Sequence, residues 1–270
     1  MSADDPATLA QDAPTCTISV VDWGIGGVDL LERLRHARPD MRLRYRSDAG
    51  CLPWGKLPAS ALRARLRAIV AQEVEAGSDA VLLACNAAST ALPWTEAMGP
   101  TPRLGVHGVI APALAQLRTR PAGQIGVLGG RRTITSGAWS RPLRAAGHDV
   151  RGRIAQPLSA RIEAGEGDSE ATRALIAALC APLRRADVVV LACTHYPAVR
   201  PLVQALLPQV TLVDPADAAL ASLLAALPPA VPGQQAAPPR VWTSGDPDAT
   251  RLAAWRAFAV ALPQVERWQG

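Results

Sequence analysis

Short runs of Val, Ile and Leu recur along the chain, separated by longer stretches in which apolar residues fall at helical spacing. Such runs at 17–22, 42–47, 79–84, 103–107, 124–128, 187–192, 210–213 and 240–243 predict strands. Between them, 59–76 reads as a helix, with Leu62, Leu66, Ile69 and Val70 on one face and Gly77 as its stop. Further helices are expected at 27–37, 110–118, 137–146, 168–184, 198–207, 215–226 and 247–261, while the Pro-rich stretch 227–239 reads as a connector. Strands alternating with helices predict parallel sheets covered by helices, an α/β fold.

An internal repeat organises these elements. Asp79 to Asn86 (DAVLLACN) recurs as Asp187 to Thr194 (DVVVLACT), 108 residues on. Ile18 to Asp22 has a counterpart in Ile125 to Gly129 at an offset of 107. Two segments repeating at nearly one offset predict two similar doubly wound parallel-sheet domains with the active site in the cleft between them.

Composition narrows the class. The chain of 270 residues is 49% hydrophobic and 19% charged, proportions of a globular enzyme rather than of a disordered chain. Its net charge of +5 arises from 28 basic and 23 acidic residues, which is not the balance of a dedicated nucleic-acid binder. All but one of the basic residues are Arg; the exception is Lys56. Arg42, Arg44 and Arg46 alternate at strand period and are expected to form a solvated or edge face. The acidic start, with no apolar core of a signal peptide, reads as a flexible tail over 1–16. No apolar run is long enough for a membrane helix, and five Cys without export signals predict a reducing, cytoplasmic setting.

The chemistry is expected at strand ends. Cys85 and Cys193 each follow an apolar strand, where ligands of open α/β sheets bind. Two equivalent thiols across one cleft suit removal of a proton from one face of a carbon and its return to the other, which is racemisation. Each thiol needs a partner to tune it: His195 is placed for Cys193 and Asp22 for Cys85. The turn Gly24-Ile25-Gly26-Gly27 allows close backbone approach to a ligand. A zinc site built from Cys85, Cys193 and His195 is a competing reading, without a Cys-x-x-Cys unit or an evident fourth ligand. Cys16, Cys51 and Cys180 read as structural, and His36, His107 and His148 as ordinary.

These residues carry a resemblance to the aspartate/glutamate racemase family from about residue 17 to 258. Asp22-Trp23-Gly24-Ile25-Gly26-Gly27 resembles the family's opening Asp-Ser-Gly-x-Gly-Gly, and Asp48 to Gly55 resembles its Asp-x(4)-Pro-Tyr-Gly loop. Ala84 to Ser89 resembles the first cysteine motif, and Cys193-Thr194-His195-Tyr196-Pro197 matches the second. Thr133 to Ser136, Ile162 to Gly165 and Thr243 to Asp246 are further matches. The resemblance implies cofactor-independent, two-base interconversion of L- and D-glutamate, the D form supplying peptidoglycan. It implies Cys85 and Cys193 as the thiol pair, Asp22 assisting one, and His195 with Glu163 assisting the other. Trp23, Pro53, Trp54, Gly55, Asn86, Ala87, Thr133 and Thr194 would line the substrate, with Asn86 and Thr194 holding its carboxylate and amino groups. It also implies a first domain of 17–103 plus 212–270 and a second of 104–211. The partner is a small-molecule amino acid, with no nucleic acid and no membrane; the assembly stays open, a homodimer being the candidate.

The chain departs from the pattern where Trp23 replaces Ser, Trp54 replaces Tyr, Ala87 replaces Thr and Gly130 replaces a further Thr. Hydrogen bonds to charged groups contribute roughly 1.5–3 kcal/mol each, so three unreplaced losses weaken glutamate binding by orders of magnitude. Arg131 and Arg132 are candidates for new carboxylate contacts. Two alternatives therefore stand beside glutamate racemisation: a racemase, epimerase or decarboxylase acting on a different carboxylate, and a non-catalytic relative that binds a protein partner.

Overall fold

The computed structural model describes residues 16–95 and 98–269. Ten strands form two parallel sheets. The first contains β1 (Thr17–Asp22), β2 (Arg42–Ser47), β3 (Ala80–Leu83), β4 (Val106–Gly108), β9 (Arg240–Thr243) and β10 (Val265–Arg267), in the order β10-β9-β2-β1-β3-β4. The second contains β5 (Gln124–Gly129), β6 (Asp149–Ile154), β7 (Val188–Ala192) and β8 (Thr211–Val213), in the order β6-β5-β7-β8. The expected α/β class with two doubly wound sheets is the observed one.

The repeat maps strand onto strand, since β2-β1-β3-β4 and β6-β5-β7-β8 are the same arrangement. In each sheet the first strand lies beside the third, and chain direction across the sheet reverses there. Pairing of Val21 with Leu83, and of Gly129 with Ala192, brings the ends of these strands level. Ligands of doubly wound sheets bind at this switch point. Asp22 and Cys85 stand at it in one sheet, Gly130 and Cys193 in the other.

The central strands are apolar throughout because both faces are covered: β3 and β7 are buried at every position. Helices Ile110–Arg118 and Pro215–Ala226 pack against each other in one apolar core that joins Ile18 and Val20 of β1 to Val127 and Val190 of the second sheet. Separate cores cover the outer faces, around Leu66 and Ile69 on one side and Ile176 and Leu191 on the other. Helix starts follow side-chain chemistry. Asp214 accepts from Ala216 N and Asp246 from Ala249 N, each with Pro next in sequence.

Several expectations are corrected. β6 and β10 were not foreseen: both are edge strands, and the DVRGRI of β6 exposes four of its six residues and so lacks an apolar run. The helix expected at 137–146 is found shortened, at Ser140–Ala145, and two helices not expected span Arg131–Thr135 and Gln156–Glu163. Of the arginines of β2 only Arg42 is exposed, so they do not form a solvated face together. β9 pairs outside β2 and makes it an interior strand, so Arg46 is buried and Arg44 nearly so. Both pair with the buried Glu73 of helix Ala59–Glu75, and they stack on Trp242 and Trp268 at 4.6 Å from the ring centroids. The tail expected over 1–16 lies outside the described residues except for Cys16, which is buried. Among the described residues, no helix is long and apolar enough to cross a membrane.

Candidate active site

A cavity of about 250 Å³ opens between the carboxyl ends of the two sheets. All thirteen residues singled out in the sequence line it: Asp22, Trp23, Pro53, Trp54, Gly55, Cys85, Asn86, Ala87, Thr133, Glu163, Cys193, Thr194 and His195. Lys56, Gly130, Arg132, Gln156, Ser159, Ala160 and Ala192 complete the wall.

Cys85 and Asp22 form one side. Asp22 is buried, and burial pushes its carboxyl above the usual carboxylate range, opposed by His195 and by hydrogen bonds from Thr194, Trp23 N–H and the Cys85 thiol. Burial, together with the charge of Asp22, holds the Cys85 thiol well above its ordinary value, while the N–H groups of Ala88 and Ala87 act in the opposite sense. Cys85 is therefore kept as a thiol at neutral pH, beside a group able to take its proton.

The other side is a chain of contacts. Cys193 Sγ lies 3.7 Å from His195 Nδ1, and His195 Nε2 lies 2.7 Å from Glu163 Oε1. Burial alone would lower His195, but its bonds and charge interactions with Cys193 and Glu163 outweigh this and hold it well above its usual value. The raised ring favours the imidazolium form, which faces the Cys193 sulfur. Glu163 reaches the ring from the last residue of helix Gln156–Glu163.

The two sides are tied together. Thr194 Oγ1 donates to Asp22 Oδ2 at 2.9 Å, linking the end of the second sheet to the end of the first. The glycine turn serves this approach more than it serves a ligand: a Cβ on Gly26 would lie 2.8 Å from His195 Nδ1, and one on Gly24 2.7 Å from Glu163 Oε1. Opposite, the loop bearing Trp54 is anchored by the buried Asp48. Asp48 accepts from Trp54 Nε1 at 2.8 Å, from both sides of the Arg65 guanidinium, and from Ser244 Oγ at 3.0 Å. The Thr243 to Asp246 motif thus works as a brace for that loop and a cap for the next helix, away from the cavity.

The replaced residues behave in distinct ways. Trp54 is almost wholly buried, and Trp23 gives its Nε1–H to Cys51 O at 2.9 Å, so neither indole N–H is free for a ligand. Ala87 and Gly130 contribute no polar side chain. Arg132 lines the cavity, yet its guanidinium donates to Trp54 O and Leu57 O and so bridges the walls; Arg131 is exposed and does not line the cavity. Asn86 is buried and its Oδ1 has no hydrogen-bond partner among the described residues. Gln156 and Lys56 were not anticipated, since neither belongs to a motif and folding alone brings them to the wall. Among the described residues no cluster of His, Cys, Asp or Glu has the arrangement of a metal site.

Residues 54–223 match the Asp/Glu/Hydantoin racemase family. The chain is 35% identical over 244 residues to a glutamate racemase of Pseudomonas putida, covering 87% of this chain and 91% of that one. It is 38% identical over 205 residues to a glutamate racemase of Stutzerimonas stutzeri, covering 73% and 76%. Among solved structures, glutamate racemase from Thermus thermophilus in complex with β-chloro-D-alanine superimposes with a TM-score of 0.83 at 27% identity, covering 95% of this chain and 98% of that one.

Proposed function

The chain belongs to the Asp/Glu/Hydantoin racemase family, and from that premise we propose that it interconverts L- and D-glutamate by a two-base mechanism that uses only its own side chains. The carrying observation is that Cys85 and Cys193 line one cavity, each with a separate proton partner: Asp22 for the first, the His195–Glu163 pair for the second. In one direction Cys193, as thiolate, takes the Cα proton while the Cys85 thiol gives its proton to the opposite face and passes to thiolate. The reverse direction exchanges the roles, so no atom is gained or lost and configuration alone changes. To repeat the first direction Cys85 must regain a proton and Cys193 must lose one, with Asp22 relaying the proton at Cys85 and His195 the proton at Cys193; in the reverse direction each relay runs the other way.

Asn86 supports the placement of the substrate. Its buried, unpaired Oδ1 is an acceptor awaiting a donor, which the substrate ammonium supplies beside Cys85. Thr194 lies beside Cys193, and its hydroxyl, already donating to Asp22, retains acceptor capacity for the same group. The D-glutamate formed would serve peptidoglycan synthesis.

The test is deuterium incorporation at Cα of glutamate in D2O, without added cofactor. It is expected for the native chain and lost in Cys85→Ala and in Cys193→Ala; exchange unchanged in both variants refutes the two-thiol mechanism. One observation favours a second reading, action on a different amino acid: both indole N–H groups are engaged by protein atoms, and Ala87 offers none. Loss of optical activity across a panel of D- and L-amino acids separates the two readings.

A further inference from the structure

Several polar groups of the cavity wall are already spoken for: Trp23, Trp54 and Arg132 donate to protein atoms, and His195 is held by Glu163 and Cys193. Asn86 and Thr194 sit beside the reacting thiols. Thr133 and Ser159 also line the wall, Ser159 donating to Gln156 O, and two nitrogen donors stand on its two sides. Lys56, the chain's only lysine, lines the cavity from the first sheet's loop, is exposed, and forms no ion pair among the described residues. Gln156 lines it from the second sheet, where its Oε1 accepts from Arg131 N at 2.9 Å. That bond fixes which end of the amide is oxygen, because a backbone N–H needs an acceptor, and leaves the Nε2 hydrogens without a partner among the described residues.

Two glycines of the cavity wall lie against Gln156. A Cβ on Gly130 would lie 3.0 Å from Gln156 Oε1, so any larger residue there would press on the amide. Gly55, directly before Lys56, faces the same oxygen at 3.9 Å from its would-be Cβ. Gly130 thus gives Gln156 its place, and Gln156 sits across from the Lys56 loop.

We propose that Lys56 and Gln156 together recognise the distal carboxylate of the substrate, an ammonium from one wall and an amide N–H from the other. This rests on the racemase reading above and names the side chains that set its preference for an anionic side chain over the carboxamide and aliphatic counterparts. The groups act at the far end of the substrate and not on Cα, so their loss changes binding more than chemistry.

The experiment compares racemisation of glutamate, glutamine and norvaline by the native chain and by Lys56→Met, Lys56→Arg, Gln156→Ala and Gly130→Thr. Expected are a KM for glutamate raised at least tenfold in Lys56→Met and about fivefold in Gln156→Ala with kcat within about threefold, rescue in Lys56→Arg, and a reduced preference for glutamate over glutamine. Gly130→Thr is expected to follow Gln156→Ala. Circular dichroism and a thermal melt establish that each variant is folded; where one is not, the discrimination ratio of the others decides. An active native chain whose KM and glutamate preference are unchanged in both Lys56→Met and Gln156→Ala overturns this assignment alone. A native chain that exchanges Cα of none of the three amino acids overturns the racemase reading and this assignment with it.

Discussion

Replacing Glu163 by Gln isolates the electrostatic part of the His195 arrangement. Gln keeps an oxygen that can accept from Nε2–H over the observed 2.7 Å, so geometry is preserved and the negative charge is removed. The difference between a charge-assisted and a neutral hydrogen bond is about 1–2 kcal/mol. The Glu163 side chain is 26% exposed, which places the effect toward the lower figure, a loss of roughly fivefold to tenfold in kcat/KM. The sign of the pH effect follows from the cause: Glu163 helps hold His195 above its usual value, so its removal lets the imidazolium lose its proton at lower pH. The assay is kcat/KM for glutamate racemisation as a function of pH. The alkaline limb is expected to move to lower pH, with the loss larger above neutrality than at pH 6. Stability should follow the same sign. A His whose folded value is raised contributes stability fully below its unfolded value, about 6.5, and loses it as pH rises through the folded value. The melting temperature of Glu163→Gln should therefore fall furthest below the native one in acid and converge with it in alkali. A rate within twofold of native together with an unmoved limb refutes the role assigned to this carboxylate.

Two further outcomes follow from buried charge. Burial raises Asp22, so its ionised form costs the folded state stability above the usual carboxylate range; Asp22→Asn is expected to melt higher than native while Cα exchange falls at least a hundredfold, measured by calorimetry and by NMR. Among the described residues Glu73 is the only carboxylate paired with both Arg44 and Arg46, and Glu73→Ala strands a buried guanidinium, with an expected loss of about 3–5 kcal/mol in urea unfolding.

The fold was legible where strands are buried on both faces. β1, β3, β5 and β7 read as apolar runs because neither face meets water, and their repeat exposed the shared strand order. It was less legible at the edges: β4 and β8 were found, but β6 exposes four of its six residues and β10 is the short Val-Glu-Arg, so neither carries an apolar run. The arginines of β2 misled for a related reason, since alternation reports that one face is polar but not whether a carboxylate and two indoles wait there. In the site, the cysteines and their partners stood in motifs at strand ends and could be found. Lys56 and Gln156 could not, because their meaning lies in facing each other across a gap that separates them by a hundred residues of chain. The glycine turn was found, but its reason was not: the close neighbour is the opposite half of the protein.

The solitary lysine also makes the protein an unusual substrate for amine chemistry. Arginine, which supplies every other basic side chain, does not react with succinimidyl esters under mild conditions, so the only side-chain amine open to acylation stands on the wall of the cavity. With the α-amino group, which has the lower pKa, blocked first near neutral pH, an environment-sensitive dye could be placed there without any engineered residue, and its emission would report filling and emptying of the cavity.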